Sequence, residues 1–261
     1  MTVDSDHLER ARPGGGLLRP VPGHLAQRHQ ERVLHARTRP RADRHHPGLA
    51  GSGGIAFPAV VGRRGYDLMY RFGAPWEGGP RQELVELVAS GRLSPQAFRR
   101  AIDLGCGSGA NAIFLAEHGF DVSGVDFSPV ALRKAQAKAV ERGAHLRLLR
   151  GNLARLPPGW DEEPFDLLVD YGTLDDLKGS GRRAMAKTVV RLSRPGSVFL
   201  LWCFYARLSE LPVISFRGAS RLAPPIEPGE EDVLFGRFFD IERLPRPEPG
   251  SGAACFLMTR R

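Results

Sequence analysis

The chain has 261 residues and a formal net charge of +8, long enough to bury a sizeable core in one large domain or two small ones. It is 42% hydrophobic but has no apolar run of the roughly 18 residues that a spanning helix needs, and its first residues lack the charged-then-apolar pattern of a secretion signal. The three cysteines, Cys106, Cys203 and Cys255, stand far apart with no CxxC, which points away from a disulfide framework or zinc site and toward a reducing, cytoplasmic setting.

Residues 1–62 differ from the rest. Their basic residues are all arginine, and the lysines, Lys134, Lys138, Lys178 and Lys187, all come later. Residues 1–56 contain no Phe, Tyr or Trp and are punctuated by Pro13, Pro20, Pro22, Pro40, Pro47 and two glycine runs. Such a stretch buries too little apolar surface to offset its ordering entropy. It reads as a disordered tail, with a short helix near Leu25–Ala36 as the one exception. Its histidines, His45-His46 among them, lack Cys or acid partners at ligand spacing, so no metal site is expected. The run Arg28–Arg44 can touch nucleic acid, but it lacks aromatics that stack on bases, and a solvated basic tail is the plainer reading. A third reading is GC-rich text translated from a start codon placed too early. Residues 63–261 are then the folded domain, and residues 1–60 are expected to be dispensable for folding.

From Tyr66 the texture changes. Tyr66–Phe72 is amphipathic and ends in Gly73-Ala74-Pro75-Trp76. Leu84, Leu87 and Val88 with Gly91 behind them predict a helix over Gln82–Ser90. A regular alternation follows. Ala101–Leu104 is a strand, Ala110–His118 a helix and Asp121–Asp126 a strand. Ser128-Pro129 caps a helix that runs to Arg142 and stops at Gly143. Leu146–Arg150 is a strand. Phe165–Asp170 is nearly all apolar, as a parallel strand covered on both faces should be. Arg182–Leu192 is a helix and Ser197–Phe204 a strand. Phe239–Leu244 and Ala253–Thr259 form an antiparallel hairpin that closes the sheet. The alternation predicts an α/β, doubly wound, mostly parallel sheet with helices on both faces.

Asp103-Leu104-Gly105-Cys106-Gly107-Ser108-Gly109 lies between a strand and a helix. Glycines there allow a tight turn and close approach of a ligand. Gly105, Gly107 and Ala110 satisfy the dinucleotide spacing, and Asp126 lies about 20 residues past Gly105, where a ribose-binding acid belongs. An NAD-binding oxidoreductase is therefore one reading. Charge favours another. A dinucleotide would set its pyrophosphate against Asp103, whereas S-adenosylmethionine has no phosphate and carries an ammonium and a sulfonium. Asp126 suits either, because both present ribose hydroxyls.

These residues resemble the class I S-adenosylmethionine-dependent methyltransferases. Ala101-Ile102-Asp103-Leu104-Gly105-Cys106-Gly107-Ser108-Gly109 is similar to their first motif, and Val125-Asp126-Phe127-Ser128 to the end of their second strand. Gly151-Asn152-Leu153 stands where the family usually has an acid at the adenine edge; Asn152 can accept from or donate to that ring. Phe165-Asp166-Leu167-Leu168-Val169-Asp170 resembles the fourth strand. The resemblance, over roughly residues 80–261, implies a seven-stranded Rossmann-like fold with an antiparallel last strand. It also implies a cofactor site drawn from Asp103, the loop Gly105 to Gly109, Asn111, Asp126, Phe127, Ser128, Asn152, Leu153, Asp170 and Tyr171.

A narrower resemblance, to the small-molecule thiopurine, thiol and halide branch, rests on Tyr70-Arg71-Phe72-Gly73-Ala74-Pro75-Trp76-Glu77-Gly78-Gly79-Pro80 and on Asp170-Tyr171-Gly172-Thr173-Leu174. The site is expected outside the carboxyl ends of the strands, at the switch point between the first and fourth; there Tyr70, Trp76, Trp202 and Tyr205 are candidates for an acceptor pocket, Tyr70 and Trp76 as its lid, and Asp175 and Asp176 are candidates for a base or for orienting a cationic acceptor. A surface staple is the plainer reading of Trp76, an exposed acidic pair that of Asp175-Asp176, and a core position that of Trp202. The chain lacks the Asp/Asn-Pro-Pro-Tyr/Phe loop of amine methylation and the Pro-Cys pair of cytosine methylation. The expected partner is a small-molecule methyl acceptor, with no membrane and no nucleic acid. A cofactor-binding protein without transfer activity is the remaining alternative.

Overall fold

The computed structural model describes residues 62–156, 163–211 and 225–261, all within one unit that runs from Ala50 to Arg261. The predicted tail, its helix and its histidines lie outside the described residues, as does the middle of the segment after the fifth strand. Seven strands form one sheet in the order β3-β2-β1-β4-β5-β7-β6. They are β1 (Arg100–Leu104), β2 (Asp121–Asp126), β3 (Leu146–Arg150), β4 (Phe165–Tyr171), β5 (Ser193–Phe204), β6 (Phe239–Arg243) and β7 (Ala253–Arg260). The first five pair parallel; β7 runs antiparallel to both β5 and β6. The hairpin therefore closes the sheet by inserting β7 between β5 and β6.

Local chemistry sets the helices. α4 (Pro129–Glu141) starts with Ser128 accepting the Ala131 N–H at 3.1 Å and with proline in the first turn, where no donor is lost. α3 (Ala110–Glu117) is apolar nearly all round and is buried accordingly. α1 (Arg63–Phe72), α2 (Gln82–Ala89) and α5 (Ser180–Leu192) each bury one stripe. The short α6 (Glu230–Phe235) falls in a region where no element is predicted.

β4 is buried along Phe165–Asp170 because core covers both its faces. On one face Leu168 and Phe165 pack with Met185, Val189, Phe199 and Phe235. On the other, Leu167 and Val169 pack with Leu84, Leu87, Leu115 and Leu200. Consecutive parallel strands leave β1 in opposite directions, to β2 on one side and to β4 on the other. At that reversal the helices that follow β1 and β4 pack on opposite faces of the sheet, which opens a crevice outside the carboxyl ends of the strands.

Candidate active site

A cavity of about 340 Å³ occupies this crevice. Asp103, Gly105, Cys106, Gly107, Ser108 and Asn111 line it from β1, the glycine loop and α3. Asp126 and Phe127 line it from the end of β2, Asn152 and Leu153 from the turn after β3, and Tyr171 from the end of β4.

The glycines serve packing within the protein. Gly105 has φ +80°, and a Cβ there would lie 1.9 Å from Thr173 Oγ1, which donates to the Leu104 carbonyl at 3.1 Å. Gly107 has φ +53°, and its Cβ would lie 2.6 Å from Tyr70 Oη. The close approach expected of a ligand is thus made at these two positions by a threonine and a tyrosine. Gly109 lies outside the cavity wall, at φ +87° against Ala135, where it starts α3.

Two buried carboxylates border the loop. Asp126 accepts from the Gly107 N–H at 2.9 Å and the Ser128 N–H at 2.8 Å. Burial outweighs these bonds and pushes it up to about 6. Asp103 is pushed up to about 7 by burial and then by Asp126, against the Ala112 N–H and Arg81. Its Oδ2 has no hydrogen-bond partner among the described residues. The protein's own carboxylate thus takes the N-terminal end of α3, where a pyrophosphate would sit, and the Gly107 amide is committed to another. Two ionisable acids and an unsatisfied buried oxygen suit a ligand with positive charge and vicinal hydroxyls.

Asp170 is placed differently from its predicted role. It is fully buried behind the cavity wall, and its oxygens accept from the Thr173 N–H at 2.8 Å and the Leu174 N–H at 3.0 Å. It shapes the loop after β4. Ser128 likewise stands off the wall: its hydroxyl caps α4 and donates to Asp67 Oδ1 at 2.5 Å. Asn152 lines the wall, but its Oδ1 accepts the Ala154 N–H at 2.9 Å, which leaves the amide nitrogen as the group to offer a ligand. Asn111 Oδ1 accepts the Arg81 N–H at 2.9 Å and ties α3 to the start of α2.

The lid candidates Tyr70 and Trp76 meet over the glycine loop. Trp76 Nε1 donates to Tyr70 Oη at 3.0 Å, and the rings cross edge to face at 5.8 Å. A clasp holds this segment to α4. Lys134 Nζ donates to the Tyr70 carbonyl at 2.8 Å and to Glu77 Oε2 at 2.6 Å, and Lys138 donates to Ser108 Oγ at 2.8 Å. Burial opposes the charge on Glu77, but Lys134, Ser108 and the Ala74 N–H hold its carboxyl below the ordinary value.

Asp175 and Tyr205 face away from the cavity. Asp175 Oδ2 accepts the Phe204 N–H at 3.1 Å beneath the loop. Tyr205 donates to Glu231 at 2.7 Å and packs edge to face on Phe256 at 5.3 Å. Asp176, one residue on, faces the cavity and accepts from the Tyr66 hydroxyl of α1. Trp202 also lines the cavity, half-buried, stacked on Tyr171 at 6.4 Å and packed against the core face that holds Leu200. No group of three metal-ligating side chains occurs among the described residues, and none of their helices is long and apolar enough to cross a membrane.

Residues 101–196 match the family described as "Methyltransferase domain". The 2-heptyl-1-hydroxyquinolin-4(1H)-one methyltransferase of Mycobacteroides abscessus is 29% identical over 133 residues, covering 50% of this chain and 56% of that protein. The ribosomal protein L11 methyltransferase of Thermus thermophilus is 45% identical over 115 residues, covering 37% of this chain and 44% of that one. The chain thus spans about half the length of the curated relatives it matches. Among solved structures, one from a study of the conversion of a disulfide bond into a thioacetal group during echinomycin biosynthesis has a TM-score of 0.58 at 27% identity, covering 76% of this chain and 92% of that one. The same fold occurs in methyltransferases crystallised with S-adenosylmethionine or S-adenosylhomocysteine. Residues 101–196 thus match a methyltransferase domain, and the sheet around them has the Rossmann-like fold of S-adenosylmethionine-dependent methyltransferases.

Proposed function

We propose that the protein methylates a nucleophilic sulfur, nitrogen or oxygen of a small, largely apolar molecule. The observation that carries this reading is the closure of the crevice. Trp76 and Tyr70 lie over the glycine loop, while Phe127, Trp202 and Phe204 add aromatic wall. Such a chamber suits a compact acceptor and excludes water from it. The Mycobacteroides relative is named for a hydroxyquinolinone, and the echinomycin study concerns sulfur chemistry; both agree with this acceptor class.

In this reading Asp103, the loop Gly105 to Ser108, Asp126 and Asn152 hold the methyl donor. Bound, it supplies an electrophilic methyl on a sulfonium, so the protein needs no nucleophile of its own. The chain's residues align the acceptor and keep water out. The carboxylates of Asp103 and Asp126 would favour binding of a donor that carries positive charge and ribose hydroxyls.

A protein acceptor is the second reading, favoured by the name of the Thermus relative. A screen of thiols, heterocyclic amines, phenols and halides, read by release of S-adenosylhomocysteine, separates the two. Release with one of these classes is expected; release confined to a protein, tRNA or DNA substrate contradicts the small-molecule reading.

A further inference from the structure

Of the two adjacent acids on the loop after β4, one is turned under the loop and the other lines the cavity. Asp176 Oδ2 accepts the Tyr66 hydroxyl, and Tyr66 is itself packed against Trp76 at 5.6 Å and Phe127 at 5.3 Å. The loop is fixed from behind by the buried Arg182 of α5. Its guanidinium donates to the carbonyls of Leu177 at 3.1 Å and Asp175 at 3.3 Å and pairs with Glu230 at 2.7 Å. The carboxylate is thus held by Tyr66 on a loop that Arg182 anchors, in the cavity that the glycine loop also lines, among aromatic walls that fit a flat ring.

We propose that Asp176 is the proton acceptor of the transfer, held by Tyr66, and that the methyl acceptor is a flat aromatic molecule bearing a neutral O–H or N–H. This rests on the methyltransferase reading and deepens it. The acceptor heteroatom gives its proton to the Asp176 carboxylate as it bonds to the methyl carbon. The electron pair of the broken carbon–sulfur bond stays on sulfur. A carboxylate, a neutral acceptor and a sulfonium become a carboxylic acid, a neutral methylated product and a neutral thioether, and the proton then passes to solvent.

The surroundings tune the group for this. Burial, with Asp175 adding repulsion and the Tyr66 bond opposing, pushes Asp176 up to about 7, where a base works best at neutral pH. From α1 the neighbour is Tyr66, while Arg63, elsewhere on the cavity wall, is paired with Asp67 at 3.1 Å. From its own loop it is Asp175, and from α5 it is Arg182, reached through the Asp175 carbonyl. β5 contributes only the uncharged Trp202 and Phe204 to the cavity.

The test compares wild type, Asp176→Asn, Asp176→Glu and Tyr66→Phe. With S-adenosylhomocysteine bound, 4-nitrophenol is titrated and its absorbance read. Wild type is expected to bind the neutral phenol and Asp176→Asn the phenolate; the same form in both, or no binding to wild type, overturns the proposal. In turnover, Asp176→Asn is expected to lower kcat about 100-fold or more with phenols, to change KM little, and to lower kcat far less with thiophenols already ionised. Asp176→Glu is expected to restore part of the phenol rate. Equal losses for both acceptor classes, or none, overturn it. If Asp176→Asn does not fold, Tyr66→Phe carries the same comparison with a smaller expected loss. Wild type that methylates phenols but is indifferent to Asp176 overturns this proposal alone; wild type that binds no methyl donor overturns the function reading as well.

Discussion

Thr173 Oγ1 stands 1.9 Å from where a β-carbon on Gly105 would be, and it is locked there by its bond to the Leu104 carbonyl. The loops after β1 and β4 are therefore fitted to one another before any ligand arrives. Gly105→Ala adds left-handed backbone strain and an overlap that Thr173 relieves only by giving up its bond. A stability loss of about 2–4 kcal/mol is expected, with loss of cofactor binding. Gly181→Ala, within α5 and off the cavity wall, where an added Cβ meets only Leu177 at an ordinary 3.7 Å, is the control and should change neither. Equal melting temperatures for the two variants would show that the loops are not coupled.

Asp126 joins the Gly107 and Ser128 amides and lines the cavity. Asp126→Ala should weaken S-adenosylmethionine binding by about 1.5–3 kcal/mol, the usual range for a charged hydrogen-bond partner. Calorimetry reads this directly. An unchanged dissociation constant would place the ribose elsewhere.

Trp76→Ala removes a wall of the chamber and the donor to Tyr70 Oη, while the clasp of Lys134 on Glu77 remains. Lost water exclusion and alignment act on the transfer step. Turnover should fall about tenfold or more, with cofactor affinity within about threefold of wild type. The opposite pattern, affinity lost and turnover kept, would make Trp76 part of the cofactor site alone.

The fold was legible because its signals are local. The apolar run Phe165–Asp170, the cap Ser128-Pro129 and the strand–loop–helix around Gly105 each carry their own physical cause. The loop directions were not. Asp175 and Asp176 are sequence neighbours on an irregular backbone, and contacts distant in sequence, the Phe204 amide and the Tyr66 hydroxyl, decide which one faces the cavity. Asp170 is a strand-end aspartate followed by Thr173, a pattern that fits a side chain bonding its own turn as well as one that meets a ligand. Trp202 shares a sheet face with Leu200, but it lies further toward the strand's carboxyl end, where that face opens into the cavity. α6 has six residues, too few for a helical period to show.

Burial raises Asp103 and Asp176 to about 7 and Asp126 to about 6, against about 4 in an unfolded chain. The folded protein then holds more protons than the unfolded chain between roughly pH 4 and 7, so its stability should fall as pH rises through that window. A cationic ligand favours the ionised acids, so the rise in Tm on adding S-adenosylmethionine should grow from pH 5 to pH 8. Thermal melts with and without the ligand check both slopes. A ligand-induced rise independent of pH would mean that these acids do not meet its positive charge.

The crevice at the ends of β1 and β4 is expected to take a cationic methyl donor and to reject a dinucleotide. Calorimetric titration of the full chain with S-adenosylmethionine and, separately, with NAD tests it most directly. Saturable binding of S-adenosylmethionine, weakened in Asp126→Ala, with no heat from NAD, is the expected result. Clear NAD binding with no response to S-adenosylmethionine would contradict the account.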